Sequence, residues 1–208
     1  LDRGDELAAV ARGQDSASGM TVARSGRRVP GEAGLWVLIF GDLSMFTLLF
    51  GLYAWYRLNE PALFAAPQAS LNQRIGLINT FLLLTGSWAA AEALAEVRAA
   101  RPGPATLRVN LAMLCGAGFI AMKAVEYDAK IKAGDLPSTN DFFMFYYACT
   151  GLHLLHVIVG MAALGLFRHL IAHPLTPARL ALMEGCGVFW HLVDMIWVVL
   201  FAVFYLHR

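Results

Sequence analysis

The chain has 208 residues, of which 58% are hydrophobic and 15% charged, and its mean hydropathy is +0.57. A soluble domain of this size carries about a quarter charged residues, so an ordinary water-soluble fold is excluded. The net charge of +1 is uninformative as a sum, and no basic patch interleaved with aromatics points to nucleic acid.

Residues 1–30 are polar and contain Arg3, Arg12, Arg24, Arg27 and Arg28 among Gly and Ser. This composition predicts a flexible cytoplasmic tail. No apolar run follows its charges, so it does not read as a cleavable signal.

A helix needs about 20 apolar residues to cross a bilayer. Five stretches qualify: Gly34 to Tyr56, about Ile75 to Val97, about Leu107 to Tyr127, about Phe142 to Phe167, and about Ala178 to Tyr205. Turn signals separate them at Asn59-Glu60-Pro61 and Pro67, at Arg101-Pro102-Gly103-Pro104, at Gly134 with Pro137, and at His173-Pro174 with Pro177. Short connections make neighbouring spans antiparallel. The predicted fold is therefore all-α, an integral membrane bundle of five helices over residues 31–208.

Lys and Arg near the span ends set the orientation. With the N-terminus cytoplasmic, the inner side holds Arg24, Arg27, Arg28, Arg98, Arg101, Arg108, Arg168 and Arg179. The outer side holds Arg57, Arg74, Lys130, Lys132 and Arg208. The inner excess predicts a cytoplasmic N-terminus and an outside C-terminus in a multi-pass protein.

Ionisable groups inside a bilayer cost about 2.5–3.5 kcal/mol each on insertion scales, so they face protein or trapped water. Asp42 lies eight residues into the first span, or roughly 12 Å deep at a rise of 1.5 Å per residue. Its charge demands a partner there, and it serves either as a proton-exchanging carboxylate or as a hydrogen-bonded tie between helices. Asn79, Thr80 and Ser87 on the second span read as interhelical glue, and Glu92 and Glu96 fall near its inner end. Lys123 and Glu126, three apart on the third span, share a face and can pair, as an architectural pair or as a polar conduit toward the outer side.

His153 and His156 share a face of the fourth span. Two imidazoles at this spacing can hold metal or haem, although a full metal site takes three or four ligands. The further candidates, Glu184, His191 and Asp194, form one stripe on the fifth span. Two readings stay open. One is a hydrogen-bonded polar seam between spans four and five, flanked by Trp190 and Trp197. The other is a membrane redox protein binding haem or metal through His153, His156 and His191. Cys115, Cys149 and Cys186 lie in apolar runs with no C-x-x-C pair and read as small buried hydrophobes.

Taken in order, these residues resemble a known family. Tyr146 to Gly160 contains T-G-L-H-L-L-H-V at 150–157, which resembles the T-G-x-H-x-x-H-V signature of subunit III of haem-copper oxidases. Glu184 to Trp197 resembles that family's E-x5-W-H-x-V-D-x-x-W helix. Ile78-Asn79-Thr80 resembles its L-N-T segment, and Glu126-Tyr127 its E-Y pair. The run Trp36 to Phe46 is similar to the helix where the family places a buried glutamate, with Asp42 in that position.

The resemblance covers about residues 31–207 and is to the short form with five helices. It implies a non-catalytic subunit that binds no haem or copper itself. Such a subunit packs beside a catalytic haem-containing subunit, which holds haem and in some complexes copper. It also binds phospholipid and supports proton uptake and durable turnover in a bacterial cytoplasmic membrane. In the family the buried carboxylate is linked with the proton-entry side, while the histidine and aspartate signatures are mostly structural. Two departures stand out: Asp42 for glutamate, and Lys123 for the glutamine that commonly precedes the E-Y pair. With the F-F-M-F-Y-Y run at 142–147, they resemble a subgroup associated with nitric oxide reductase in denitrifying bacteria. The complex served is thus expected to be cytochrome c oxidase or nitric oxide reductase, ahead of a quinol oxidase.

Overall fold

A computed structural model of the chain describes residues 33–206. The expected tail at residues 1–30 and the terminal Arg208 lie outside the described residues. Six α-helices follow in order: α1 (Ala33–Asn59), α2 (Pro61–Ala69), α3 (Gln73–Arg98), α4 (Pro102–Lys132), α5 (Asp141–Ile171) and α6 (Pro177–Phe201). A π-helical turn, Ala202–Leu206, ends the described chain. Five of these helices are long and apolar enough to cross a membrane. All five expected spans are present, each extended by a few residues. The short helix α2 was expected only as a turn. Its start uses Pro61 at the first helical position, where a missing N–H does no harm.

The helix starts follow simple local chemistry. The Asn72 and Asn140 side chains accept from the backbone N–H groups of Arg74 and Phe143, at 3.0 and 2.9 Å. Thr176 does the same for Arg179. Pro102 and Pro177 sit in the first turns of α4 and α6. Gly134, at φ +83°, turns the chain after α4 in a backbone region that other residues avoid.

Helices α3, α4, α5 and α6 form the core, each packed on the next, with α6 closing back on α3. The first span, α1, lies outside this core and packs mainly on α2, α5 and α6. Only 11% of its apolar window is buried, against 61% for α6, so α1 is peripheral and α6 is central. Val37, Phe40, Leu48 and Trp55 of α1 point away from the protein.

At the middle of the core sits Trp190 of α6, fully buried. Three helices each bring a glycine to its ring. An added Cβ would stand 3.5 Å from Trp190 Cζ2 at Gly86 of α3, 2.8 Å from Cη2 at Gly116 of α4, and 2.8 Å from Cε3 at Gly160 of α5. Between helices in lipid, close van der Waals packing replaces the hydrophobic drive, and small residues make the close approach possible. Here they make room for one large ring.

The far end of α6 is held differently. The Gln68 side chain of α2 donates to the carbonyls of Val203 and Phe204, at 3.2 and 3.1 Å. Gln73 donates to the carbonyl of Tyr205 at 2.6 Å. The last carbonyls of a helix lack partners within it, so α2 and the start of α3 cap the π turn.

Gly160→Ala is expected to destabilise the bundle by about 1–3 kcal/mol, the range for overpacking a close-fitted core. Gly165→Ala, on the same helix with nothing within 4 Å of the added methyl, is expected to be neutral or slightly stabilising. Thermal denaturation of both variants in the same detergent checks this; equal midpoints would remove the tight-seat explanation.

Candidate functional site

The polar residues at membrane depth fall into three clusters rather than one seam. The first joins α1 to α5: His156 Nε2 lies 3.3 Å from Asp42 Oδ1, with both side chains mostly buried. His156 Nδ1 is 2.8 Å from the Leu152 carbonyl oxygen. A carbonyl only accepts, so Nδ1 carries the proton of that bond. In the neutral ring Nε2 then bears a lone pair. Nε2 is thus the ring nitrogen that faces the Asp42 carboxylate, and the two form an acid–base pair across the helices. Asp42 Oδ2 is buried without a hydrogen-bond partner among the described residues. The pair forms because α1 lies in the groove between α5 and α6, a placement that the spacing within α5 does not reveal.

The second cluster lies toward the opposite end of the core. Lys123 and Glu126 of α4 pair at 2.9 Å with side chains 0% and 3% exposed. Lys123 Nζ also donates to Tyr146 OH at 3.2 Å and Tyr205 OH at 3.0 Å, so all three of its hydrogens have acceptors. Tyr205 OH donates to Glu126 Oε1 at 2.6 Å. Around the ammonium stand the rings of Trp197, Tyr146, Tyr127 and Tyr205, with centroids 5.0–5.5 Å away, a favourable setting for a cation. Next to it, Tyr127 and Thr150 share a 2.6 Å hydrogen bond between α4 and α5. The Lys123–Glu126 pairing follows from the spacing of three. Tyr146 and Tyr205 do not, because nothing local in the sequence ties positions 20 to 80 residues apart.

The third cluster joins α6 to α3. Ser87 Oγ and His191 Nδ1 form a short hydrogen bond. Asp194 Oδ2 lies 3.7 Å from the same ring nitrogen. Glu184 pairs with Arg98 at 2.7 Å. Trp197 Nε1 donates to Thr80 Oγ1 at 3.1 Å. The stripe of Glu184, His191 and Asp194 is real, but its partner helix is α3, not α5 as expected. The reason is the ring order of the core, in which α6 has α5 on one side and α3 on the other. The expected single seam with His153 and His156 is thereby corrected: His156 faces α1.

His153 does face α6, but through ring packing. Its imidazole lies 5.3 Å from the Trp197 ring and 5.5 Å from Phe119, centroid to centroid. It is fully buried, and neither ring nitrogen has a hydrogen-bond partner among the described residues. Asn79 was expected to bond across helices. It is fully buried on α3, yet neither of its side-chain atoms has such a partner; Thr80 and Ser87 provide the cross-helix bonds instead.

His153, His156 and His191 therefore contact different helices and do not converge. Among the described residues no group of three or more His, Cys, Asp or Glu side chains is placed to hold a metal ion. The geometry gives the haem- or metal-ligand reading no ligand set. Cys115, Cys149 and Cys186 are free and buried, as expected.

His153→Leu is expected to leave thermal stability unchanged or slightly raised, since a buried polar ring without partners is replaced by an apolar one. His191→Ala is expected to lose about 1 kcal/mol, the usual worth of one hydrogen bond. Melting curves of the two variants side by side check the contrast, and a larger loss for His153→Leu would reverse it.

Comparison with known proteins bears on the whole arrangement. A family model described as "Cytochrome c oxidase subunit III" matches residues 67–208. "Quinol oxidase subunit 3" of Bacillus subtilis is 26% identical over 174 residues, covering 83% of this chain and 85% of that protein. "Probable cytochrome c oxidase subunit 3" of Nocardia farcinica is 28% identical over 181 residues, covering 85% and 88%. The "Heme-copper oxidase subunit I+III" of Aeropyrum pernix is 28% identical over 187 residues, covering 84% of this chain and 22% of that longer protein. The matched region takes in α3 to α6 and the π turn, the elements that build the core and carry most of its buried polar residues, and the chain belongs to the cytochrome c oxidase subunit III family.

Proposed function

We propose that this chain docks in the membrane beside a haem-containing catalytic subunit of a respiratory haem-copper complex and supports that subunit's assembly, stability and proton-linked turnover. Membership of the subunit III family carries this reading. The Aeropyrum pernix relative supports it further, since its name joins subunits I and III in one chain. Haem, with or without copper, belongs to the partner in this reading, and this chain supplies packing surface and buried polar groups. The open face of α1 is available for lipid or for the partner's helices.

Within the proposal, the location is a bacterial cytoplasmic membrane, with residues 1–30 inside, the C-terminus outside and residues 31–208 as the membrane domain. Arg98, Arg101, Arg108, Arg168 and Arg179 gather at the end where α3 and α4 meet, which favours that end as the cytoplasmic one. Names of relatives include both cytochrome c and quinol oxidases, so both classes of oxidase are candidate complexes. Asp42, Lys123 and the aromatic run at 142–147 are the features whose resemblance favours nitric oxide reductase instead.

Asp42 is assigned a proton-linked role. A groove of about 380 Å³ between α1, α5 and α6 begins near Gly34 and Ala181. It shares Leu38, Val159 and Phe189 with a smaller cavity of about 170 Å³ that Asp42 and His156 line. Apolar walls suit a phospholipid chain, and the acid–base pair at the inner limit suits proton exchange.

Two outcomes are expected. The chain isolated from native membranes under mild detergent should carry along a haem-containing partner with a Soret band, identifiable by mass spectrometry. A preparation with no haem protein in it would defeat the docking proposal. In the assembled complex, Asp42→Asn and His156→Leu should insert normally and lower sustained proton-linked turnover severalfold. Unchanged turnover, lifetime and assembly in both variants would reduce the pair to a structural tie.

A further inference from the structure

We propose that the Lys123–Glu126 pair is a proton-exchange site, served by water in a cavity at the end of the bundle opposite Asp42. The cavity measures about 260 Å³ and is lined in part by Ser70, Asn72, Ile75, Ala129 and Lys130, with Glu126 among its walls. Ser70, Asn72 and Ala129 are exposed, whereas Glu126 is buried, so the cavity runs from exposed residues inward to Glu126. A water molecule occupies about 30 Å³ of liquid, which leaves room for several. Glu126 lies six residues before the end of α4 at Lys132, about 9 Å along the axis. Asp42 lies nine residues from the start of α1, toward the opposite end of the bundle.

The positions of the two partners order the events. Both side chains are buried, but Glu126 lines the cavity and Lys123 does not, so exchange with the cavity runs through the glutamate. Lys123 donates to Glu126 and to Tyr205, and Tyr205 donates to Glu126. The three groups form a closed ring. A proton passing from Nζ to Oε2 leaves a neutral amine and a neutral carboxylic acid, with no change in net charge. The acid proton then passes to a cavity water while that water returns one of its own, and the reverse transfer restores the ion pair. Each cycle swaps one proton of the pair for one of the solvent, and both charge and atoms balance.

The other ionisable groups around the pair are few. From α4 come Tyr127 and Lys130, from α5 Tyr146, Tyr147 and His153, from the loop Asp135, and from the π turn Tyr205. Asp135 is neutralised by Lys130 at 3.1 Å and accepts at its backbone carbonyl from Tyr147 OH. Lys130 also donates to Ser70 at the cavity wall. The chain of α3 brings Asn72 and Ile75 to the cavity but no titratable group. Glu126 is therefore the one carboxylate in the cavity wall among the described residues.

The chain contains three lysines, Lys123, Lys130 and Lys132, which makes the site readable. In the full chain labelled with nitrogen-15 lysine and held in lipid nanodiscs, the Nζ signal absent from a Lys123→Gln/Glu126→Gln double variant belongs to Lys123. That double variant removes both charges together and leaves no unpaired buried ion, so the assignment survives if Glu126→Gln alone fails to fold. On transfer to D2O, Lys123 is expected to exchange its protons well before the buried backbone amides of α4. Ala129→Phe, which fills the cavity and keeps both members of the pair, is expected to slow that exchange. Lys123 protons as persistent as the α4 amides would overturn the proposal. So would rapid exchange that Ala129→Phe leaves unchanged, because the cavity would then not be the route.

Discussion

The packing of Trp190 constrains nearly everything else in this bundle. Lipid is as apolar as a leucine side chain, so burial alone does not hold membrane helices together. What holds them is close contact, and here the contact is shared. A single indole on α6 fills the space left by Gly86, Gly116 and Gly160 on three other helices. That arrangement fixes the position of α6 relative to all of its core neighbours at once. It also dictates which face of α6 turns toward α3, and hence where Glu184 and His191 find their partners.

With the core set, the polar groups divide by helix pair. Asp42 and His156 tie the peripheral α1 to α5. Lys123, Glu126 and Tyr205 tie α4 to the π turn that ends α6, and Tyr146 adds α5. Ser87, His191, Arg98 and Glu184 tie α3 to α6. Every helix longer than α2 contributes to at least one of these ties. The two ties that combine burial with an acid and a base lie toward opposite ends of the bundle, and each adjoins a cavity. A subunit III protein without a redox centre of its own would act through such features: a lipid- or partner-facing first helix, a rigid core, and protonatable pairs reached from the surface.

Much of this could be read from the order of the residues. Apolar length marked five spans, because a bilayer imposes a minimum length on any helix that crosses it. The spacing of three between Lys123 and Glu126 marked a pair, because the α-helical period puts such residues on one face. The seven-and-three spacing of Glu184, His191 and Asp194 marked a stripe for the same reason. The motifs at 150–157 and 184–197 marked the family, which the match over residues 67–208 then established.

Only the tertiary structure decided which faces meet. A stripe on one helix carries no label for its partner, so the expectation of α5 gives way to α3, which the ring order of the core places against that face of α6. His153 and His156, on one face of α5, separate because one ring lies under Trp197 and the other reaches α1. Tyr205 joins Glu126 across 79 positions, a distance over which local periodicity carries no information. The sequence by itself determined the number of spans and the local pairs within them. The contacts between helices, and therefore the clusters and their cavities, were decided by packing around one tryptophan that local spacing cannot describe.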